Sequence, residues 1–345
     1  SENPISSNLK SYELVTDQLV KEALEADKGK NVELLSFEIK EFTKFGDNFT
    51  CVVTSVVVKY RDEEGQHEDS FVAKLNALRN LGSFSDMMEF IFERETTVLS
   101  TFIGGMNKCL EKISQPPIKT PKLFARNLEK GREAFLMENL RTKGFIMHDR
   151  KKEMDFNHAK LVFQELGRYH GSSLLYEDAI SPKTFDDFYE SFDISTFDEN
   201  HPAFKPFAAM MNTQAANASK YLKKIPKYEK CVKWLDKNYQ NMGKYYVEGL
   251  KPRKPFDVLI HGDSWTNNIL FKYDENNIPI DIRFVDLQTS GKGSPVCDLL
   301  YFSFASLTGD FRSKNFQRML YIYYQSFSKV LIFGRKKIPF TFKVS

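Results

Sequence analysis

The stretch HGDSWTNNILF, residues 261–271, sets a His, an Asp and two Asn just before an apolar, strand-like run. A turn needs one or two polar side chains to bond its own backbone; this stretch carries more. After it, ILFKY reads as a strand, DENNIP as a turn and IDIRFVDLQ as a returning strand. In an antiparallel hairpin the residue before the first strand lies beside the residue that ends the second. Asn268 and Asp286 therefore fall at one end of the hairpin, and Asp263 lies on the loop that feeds that end. Oxygen donors with no cysteine or paired histidine nearby suit a hard cation such as Mg2+, which keeps waters and completes its shell from phosphates. A carboxylate off the metal is free to take a proton from a hydroxyl. That is the division of labour of phosphoryl transfer, with Asp263 as the base and Asn268 and Asp286 as metal ligands. Taken singly, Asp263 reads as a turn residue and Asn268 as a cap. The spacing H-x-D-x4-N, followed by a hairpin that ends in Asp, weighs against both readings. His261 reads as a residue that packs and hydrogen-bonds the loop, and Trp265 as a packing residue.

Transfer from a nucleotide also needs a cation for the phosphates. In FVAKL, Lys74 is the one charge of an otherwise apolar strand, and a buried Lys requires a partner. Glu95, three residues after Phe92 on the following helix, is the candidate, with Glu93 as its competitor. A phosphate-covering turn is expected in KFGDNFT, where the backbone of Gly46, Asp47 and Asn48 can cradle an anion; a single glycine makes this a weak signal. FLMENL, at the end of a second hairpin, is an extended connector whose backbone at Glu138 and Leu140 can meet an adenine edge.

The elements that must position these residues change in character along the chain. Residues 6–28 read as an amphipathic helix. Strand-like segments follow at LLSFEIKEFT, FTCVVTSVVVKY and SFVAKL, with DEEGQHED as the intervening turn, then a helix over 87–102 and the hairpin KLFARN–EAFLMEN. From about residue 153 the pattern is mainly helical, with breaks expected at Pro202, Pro206 and Pro226 and helices resuming from Pro295. Strands first and helices later indicate α+β rather than an alternating βαβ sheet. The 345 residues suit two units, 1–138 on the nucleotide-phosphate side and 139–345 carrying the catalytic loop, metal site and substrate pocket. A net charge of +3 is too small to argue for nucleic acid or an anionic membrane surface. No run approaches the roughly 20 apolar residues of a membrane helix. Four scattered cysteines argue against a zinc site or a disulfide framework and suit reduced thiols, so a cytoplasmic location is expected.

LIHGDSWTNNILFKYDENNIP, with RFVDLQ and SPVCDLLYF, preceded in order by FGDNFT, FVAKL, FERE and FLMENL, resembles the ecdysteroid kinase-like (CHK kinase-like) family of insect type, related to choline and aminoglycoside kinases. The resemblance runs over roughly residues 10 to 330 and is most specific at 261–298. It implies a protein-kinase-like fold of two lobes, a small one with an antiparallel sheet and a larger helical one. It also implies ATP- and Mg2+-dependent phosphorylation of a small-molecule hydroxyl, an ecdysteroid or a xenobiotic alcohol or phenol. By motif position it makes Asp263 the base, Asn268 and Asp286 the metal ligands, Lys74 the phosphate holder braced by Glu95, and Glu138 to Leu140 the adenine edge. It reads Asp298 as structural. The chain departs from the pattern at Asn139 and Leu287 and ends sooner than the resemblance leads one to expect. A catalytically inactive nucleotide-binding or interaction protein with the same fold is the alternative. Gly262 in place of Arg, and no Ala-Pro-Glu segment after Asp286, argue against a protein kinase.

Overall fold

The computed structural model describes residues 10–43, 51–78, 85–189, 199–201 and 204–343; for residues 85–88 the backbone alone is described. Gly46, Asp47 and Asn48 lie outside the described residues, as does Pro202. A helical turn at 10–12 precedes helix α1, Asp17–Lys28. One helix from residue 6 was the expectation. Thr16 divides it: its backbone is extended and its hydroxyl accepts from Leu19 N at 3.2 Å, capping α1. Leu19, Val20, Ala23 and Leu24 form the buried face of α1.

That face covers a five-stranded antiparallel sheet of β1 (Glu33–Glu41), β2 (Cys51–Asp62), β3 (Gly65–Asn76), β4 (Leu123–Asn127) and β5 (Ala134–Glu138), in the order β1-β2-β3-β5-β4. In β2 alternation sends Val52, Thr54, Val56, Val58 and Tyr60 inward. The expected turn over 62–69 is much tighter: pairing continues to Asp62↔Gly65. Lys59↔Glu68 and Tyr60↔His67 pair across it, the latter with ring centroids 5.2 Å apart, which keeps this polar stretch in strand.

Residues 71–76 of β3 are buried on both faces. Period-two alternation puts Lys74 on the face of Val72, opposite Val53 and Phe135. That face is covered by Phe92 of α2, Ser85–Thr97. The sequence ends this helix at 102, but a π-helical turn at Val98–Phe102 carries it on into α3, Ile103–Lys112. The Ser100 hydroxyl bonds back to Thr96 O at 2.7 Å in this region.

Beyond β5 come the short β6 (Ile146–Met147) and the 25-residue α4 (Phe156–Ile180), then α5 (Phe204–Leu222), α6 (Glu229–Asn238) and α7 (Met242–Leu250). Pro206 does not break the pattern: it sits in the first turn of α5, where backbone N–H groups have no helical partner to lose. β7 (Val258–Ile260), β8 (Ile269–Tyr273), β9 (Pro279–Phe284) and β10 (Gly291–Gly293) follow, then α8 (Pro295–Ser306) and α9 (Gly309–Phe333). β6, β8 and β9 make one small antiparallel sheet, and β7 pairs with β10. α4 and α9 pack closely: a Cβ at Gly167 would lie 2.6 Å from Tyr323 O, so only glycine allows this approach. Their core includes Phe163, Leu166, Phe302, Met319 and Phe327, and it backs the β8–β9 hairpin. A third cluster joins Phe102 and Met106 to Tyr169, Leu259 and Leu287. The α2–α3 helix is thereby seated on the helical half, directly behind the end of the hairpin. The whole is α+β.

Candidate active site

Lys74 is buried to 8% exposure, and its ammonium has three carboxylate contacts: Glu95 Oε1 at 2.8 Å, Glu95 Oε2 at 2.9 Å and Asp286 Oδ1 at 3.2 Å. Burial opposes its charge, but Asp286 and Glu95 more than offset that, and its pKa lies well above the ordinary lysine range. Burial pushes the Glu95 carboxyl upward, while Lys74 and the Leu287 N–H favour its ionised form. Glu93, the competing candidate, is also buried, but its charge acts on Tyr189 instead.

Asp286 reaches Lys74 because the hairpin ends abruptly. Ile269 pairs with Phe284, and Val285 N donates to Asn268 O at 3.0 Å. The next residue, Asp286, has φ +63°, a left-handed conformation that costs a non-glycine residue energy and that tight packing must hold. Leu287, fully buried in the third cluster, anchors the far side of this turn. Asn268 and Asp286 thus leave the same end of the hairpin.

The loop from β7 brings in Asp263. His261 is fully buried; its Nε2–H donates to Val285 O at 3.0 Å and its Nδ1 accepts from Asp263 N at 3.2 Å, two bonds that a single tautomer satisfies. Gly262 has φ +87°, and a Cβ there would meet Thr289 O at 2.5 Å, so the bend tolerates no side chain. Asn268 Nδ2 then bonds both Asp263 O at 2.9 Å and Asp263 Oδ2 at 2.8 Å. Burial raises the Asp263 pKa and the nearby Asp286 charge adds to that, while the neighbouring Tyr301 and the Asn268 amide oppose it.

Asp298 fixes the loop from beneath. At 1% exposure it accepts from His261 N at 2.8 Å, Gly262 N at 2.9 Å, Ser264 Oγ at 3.3 Å and His170 Nε2 at 2.8 Å. His170 Nδ1 in turn bonds the Tyr323 hydroxyl at 2.8 Å. Burial pushes the Asp298 carboxyl up, but its bonds from His170 and Gly262 win, and its pKa lies below the ordinary value. Residue-by-residue reading assigned Asp298 no role and passed over His170 and Arg94, whose guanidinium donates to Ser290 O at 2.7 Å and ties α2 to the turn after Asp286. Asp298 did leave a trace in the sequence, as the one acid in the first turn of an apolar helix behind the Ser294 cap.

At Glu138 the N–H bonds Lys122 O at 2.8 Å, and the carboxylate is held by Lys122 N at 3.1 Å and by Lys143. The Leu140 carbonyl accepts from Phe145 N at 3.1 Å. Fewer backbone groups of this connector remain for a ligand edge than the sequence suggested.

The donors fit a hard cation. With its Nδ2 committed to Asp263, the Asn268 amide directs its oxygen elsewhere, and the Asp286 carboxylate is about a quarter exposed, at 28%. No group of three or more His, Cys, Asp or Glu that could hold a metal occurs among the described residues. One carboxylate plus one amide is the sparse protein set that Mg2+ accepts when substrate phosphates supply further oxygens. No helix among the described residues is long and apolar enough to cross a membrane. A family model described as ecdysteroid kinase-like matches residues 45–332. No curated protein matches the chain.

Proposed function

The chain belongs to the ecdysteroid kinase-like family, and from that premise we propose that it is an ATP- and Mg2+-dependent phosphotransferase acting on a hydroxyl of a small molecule. The observation that carries this reading is one constellation: Lys74 bonded to both Glu95 and Asp286, beside an Asp263 carboxylate held by Asn268. Separate sequence regions supply these groups, and a packing role alone gives no reason for a left-handed Asp286 facing a buried lysine.

In this reading Lys74 binds the α- and β-phosphates, and Glu95 keeps its ammonium in place. Asn268 Oδ1 and the Asp286 carboxylate hold Mg2+, which when bound neutralises charge on the phosphates. The Asp263 carboxylate accepts the proton of the acceptor hydroxyl as that oxygen bonds to the γ-phosphorus. The bond from the γ-phosphorus to the β,γ-bridging oxygen breaks, and ADP departs with the electron pair. The backbone between Glu138 and Leu140 meets the adenine, and Gly46, Asp47 and Asn48 cover the phosphates. The division at 138/139 then separates the nucleotide side from the catalytic side. Candidate acceptors are ecdysteroid alcohols and foreign alcohols or phenols.

The test incubates the protein with Mg-ATP and a panel of ecdysteroids, aliphatic alcohols and phenols, and reads each acceptor by mass spectrometry for gain of one phosphate. Phosphorylation of one acceptor class with matching ADP release is the expected result. Nucleotide binding without transfer to any acceptor identifies an inactive member of the fold, and absence of Mg-ATP binding overturns the reading altogether.

A further inference from the structure

α4, α9 and the segment 115–119 line a cleft of about 700 Å³, within the roughly 300–1,000 Å³ of small-molecule sites. None of Lys74, Glu95, Asp263, Asn268 and Asp286 lies on its wall, so it is separate from the candidate active site. Among the described residues five cations line it, Lys119, Lys160, Arg168, Arg318 and Lys329, against a single acid, Glu165. That acid is fully engaged. Its Oε1 accepts from Lys119 N at 2.9 Å and its Oε2 from Arg168 Nη1 at 2.7 Å. The Lys119 ammonium pairs with Asp281 at 2.6 Å. Lys160, Arg318 and Lys329 have no carboxylate within ion-pair distance among the described residues. Arg318 is nonetheless held in place, its guanidinium 4.3 Å from the centroid of the Phe156 ring. Phe156, Leu161, Ile322 and Val330 make part of the same wall apolar.

Like charges gathered on one cleft repel one another, and an anion among them relieves that repulsion. Arg168 adds an unmet donor, since its buried Nε–H has no partner. A phosphate monoester carries close to two negative charges at neutral pH. Its oxygens accept fork-like bonds from a guanidinium as well as single bonds from ammonium groups. Inorganic phosphate leaves the apolar wall wet, whereas a hydrocarbon body covers it. We propose that this cleft is a binding site for the phosphate monoester of an apolar alcohol, held by Lys160, Arg318 and Lys329. Products of the transfer proposed above belong to this class, but the claim stands on the cleft alone and survives failure of that reading.

The test needs neither ATP nor turnover. Octyl phosphate, octanol and inorganic phosphate are titrated separately into the protein and followed by calorimetry. Octyl phosphate binds at least about tenfold more tightly than either fragment, because only it uses both the cations and the apolar wall. The combined variant Lys160→Gln, Arg318→Gln and Lys329→Gln weakens that binding by about tenfold or more. Its melting temperature stays at the wild-type value, since all three side chains are exposed. A control variant, Lys223→Gln, Lys233→Gln and Lys251→Gln, removes the same charge from exposed lysines elsewhere and leaves the affinity unchanged. Octyl phosphate binding that survives in the cleft variant, or that falls equally in the control, overturns the inference. So does inorganic phosphate that binds as tightly as the ester. Protein that sediments with vesicles of phosphatidylcholine and phosphatidic acid while ignoring octyl phosphate also overturns it, and marks the face as a membrane contact instead.

Discussion

Lys74 and Asp298 are both buried charges within the same site, and they are kept ionised in different ways. Lys74 is balanced by two full charges, Glu95 and Asp286, from elements distant in sequence. Asp298 is balanced not by a pair of full opposing charges but by His170 at 2.8 Å together with two backbone N–H groups and a hydroxyl. The first arrangement has an open side, since the Asp286 carboxylate is 28% exposed. An incoming phosphate or metal can exchange for one of its bonds. The second is sealed at 1% exposure and has nothing to exchange. A buried ion pair can be replaced by apolar groups at little cost, whereas buried backbone donors keep their need for an acceptor whatever side chain is substituted. The contrast separates the working half of the site from its scaffold.

The largest effect is expected at Asp298. Asp298→Asn turns one acceptor oxygen into a donor facing donors and should cost about 3–5 kcal/mol of stability, read by urea unfolding. Because the folded pKa of Asp298 is depressed, its contribution is fully present above the unfolded value near 3.9 and is lost as pH falls through the folded value. Below about pH 4 the wild type should therefore lose stability more steeply than the variant. Next is Lys74→Met, which strands two carboxylates and should cost about 3 kcal/mol, together with at least a tenfold fall in kcat/KM for ATP. The double change Lys74→Met with Glu95→Leu should recover most of that stability, to within about 1 kcal/mol, and none of the activity. No partner substitution should rescue Asp298→Asn in the same way; a rescue there would dissolve the distinction. The smallest effect is set by the Lys143–Glu138 pair, whose lysine is more than half exposed at 55%. Lys143→Ala should change stability by no more than about 0.5 kcal/mol.

These two halves were unequally legible in the sequence. The meeting of Asn268 and Asp286 follows from hairpin geometry, because pairing register converts sequence distance into spatial distance. Lys74 declared itself as one charge in an apolar strand, and Glu95 through its helical phase relative to Phe92. Asp298 was opaque because its partners are two backbone groups 36 and 37 residues away, a hydroxyl 34 residues away and a histidine 128 residues away; no local pattern encodes such bonds. The misplaced boundaries also have local causes. Thr16 supplied a cap inside an apparently continuous helix, Pro206 fell where a helix tolerates proline, and cross-strand pairs kept a polar stretch of β3 in strand.

The central claim is that Asp263 takes the acceptor's proton while Lys74, Asn268 and Asp286 hold Mg-ATP. Asp263→Asn tests it most directly, with Mg-ATP affinity and ATP turnover measured on the same preparation. The account predicts an affinity kept within about threefold and turnover reduced by about 100-fold or more. Turnover at the wild-type rate, or a loss of turnover matched by an equal loss of nucleotide binding, would contradict it.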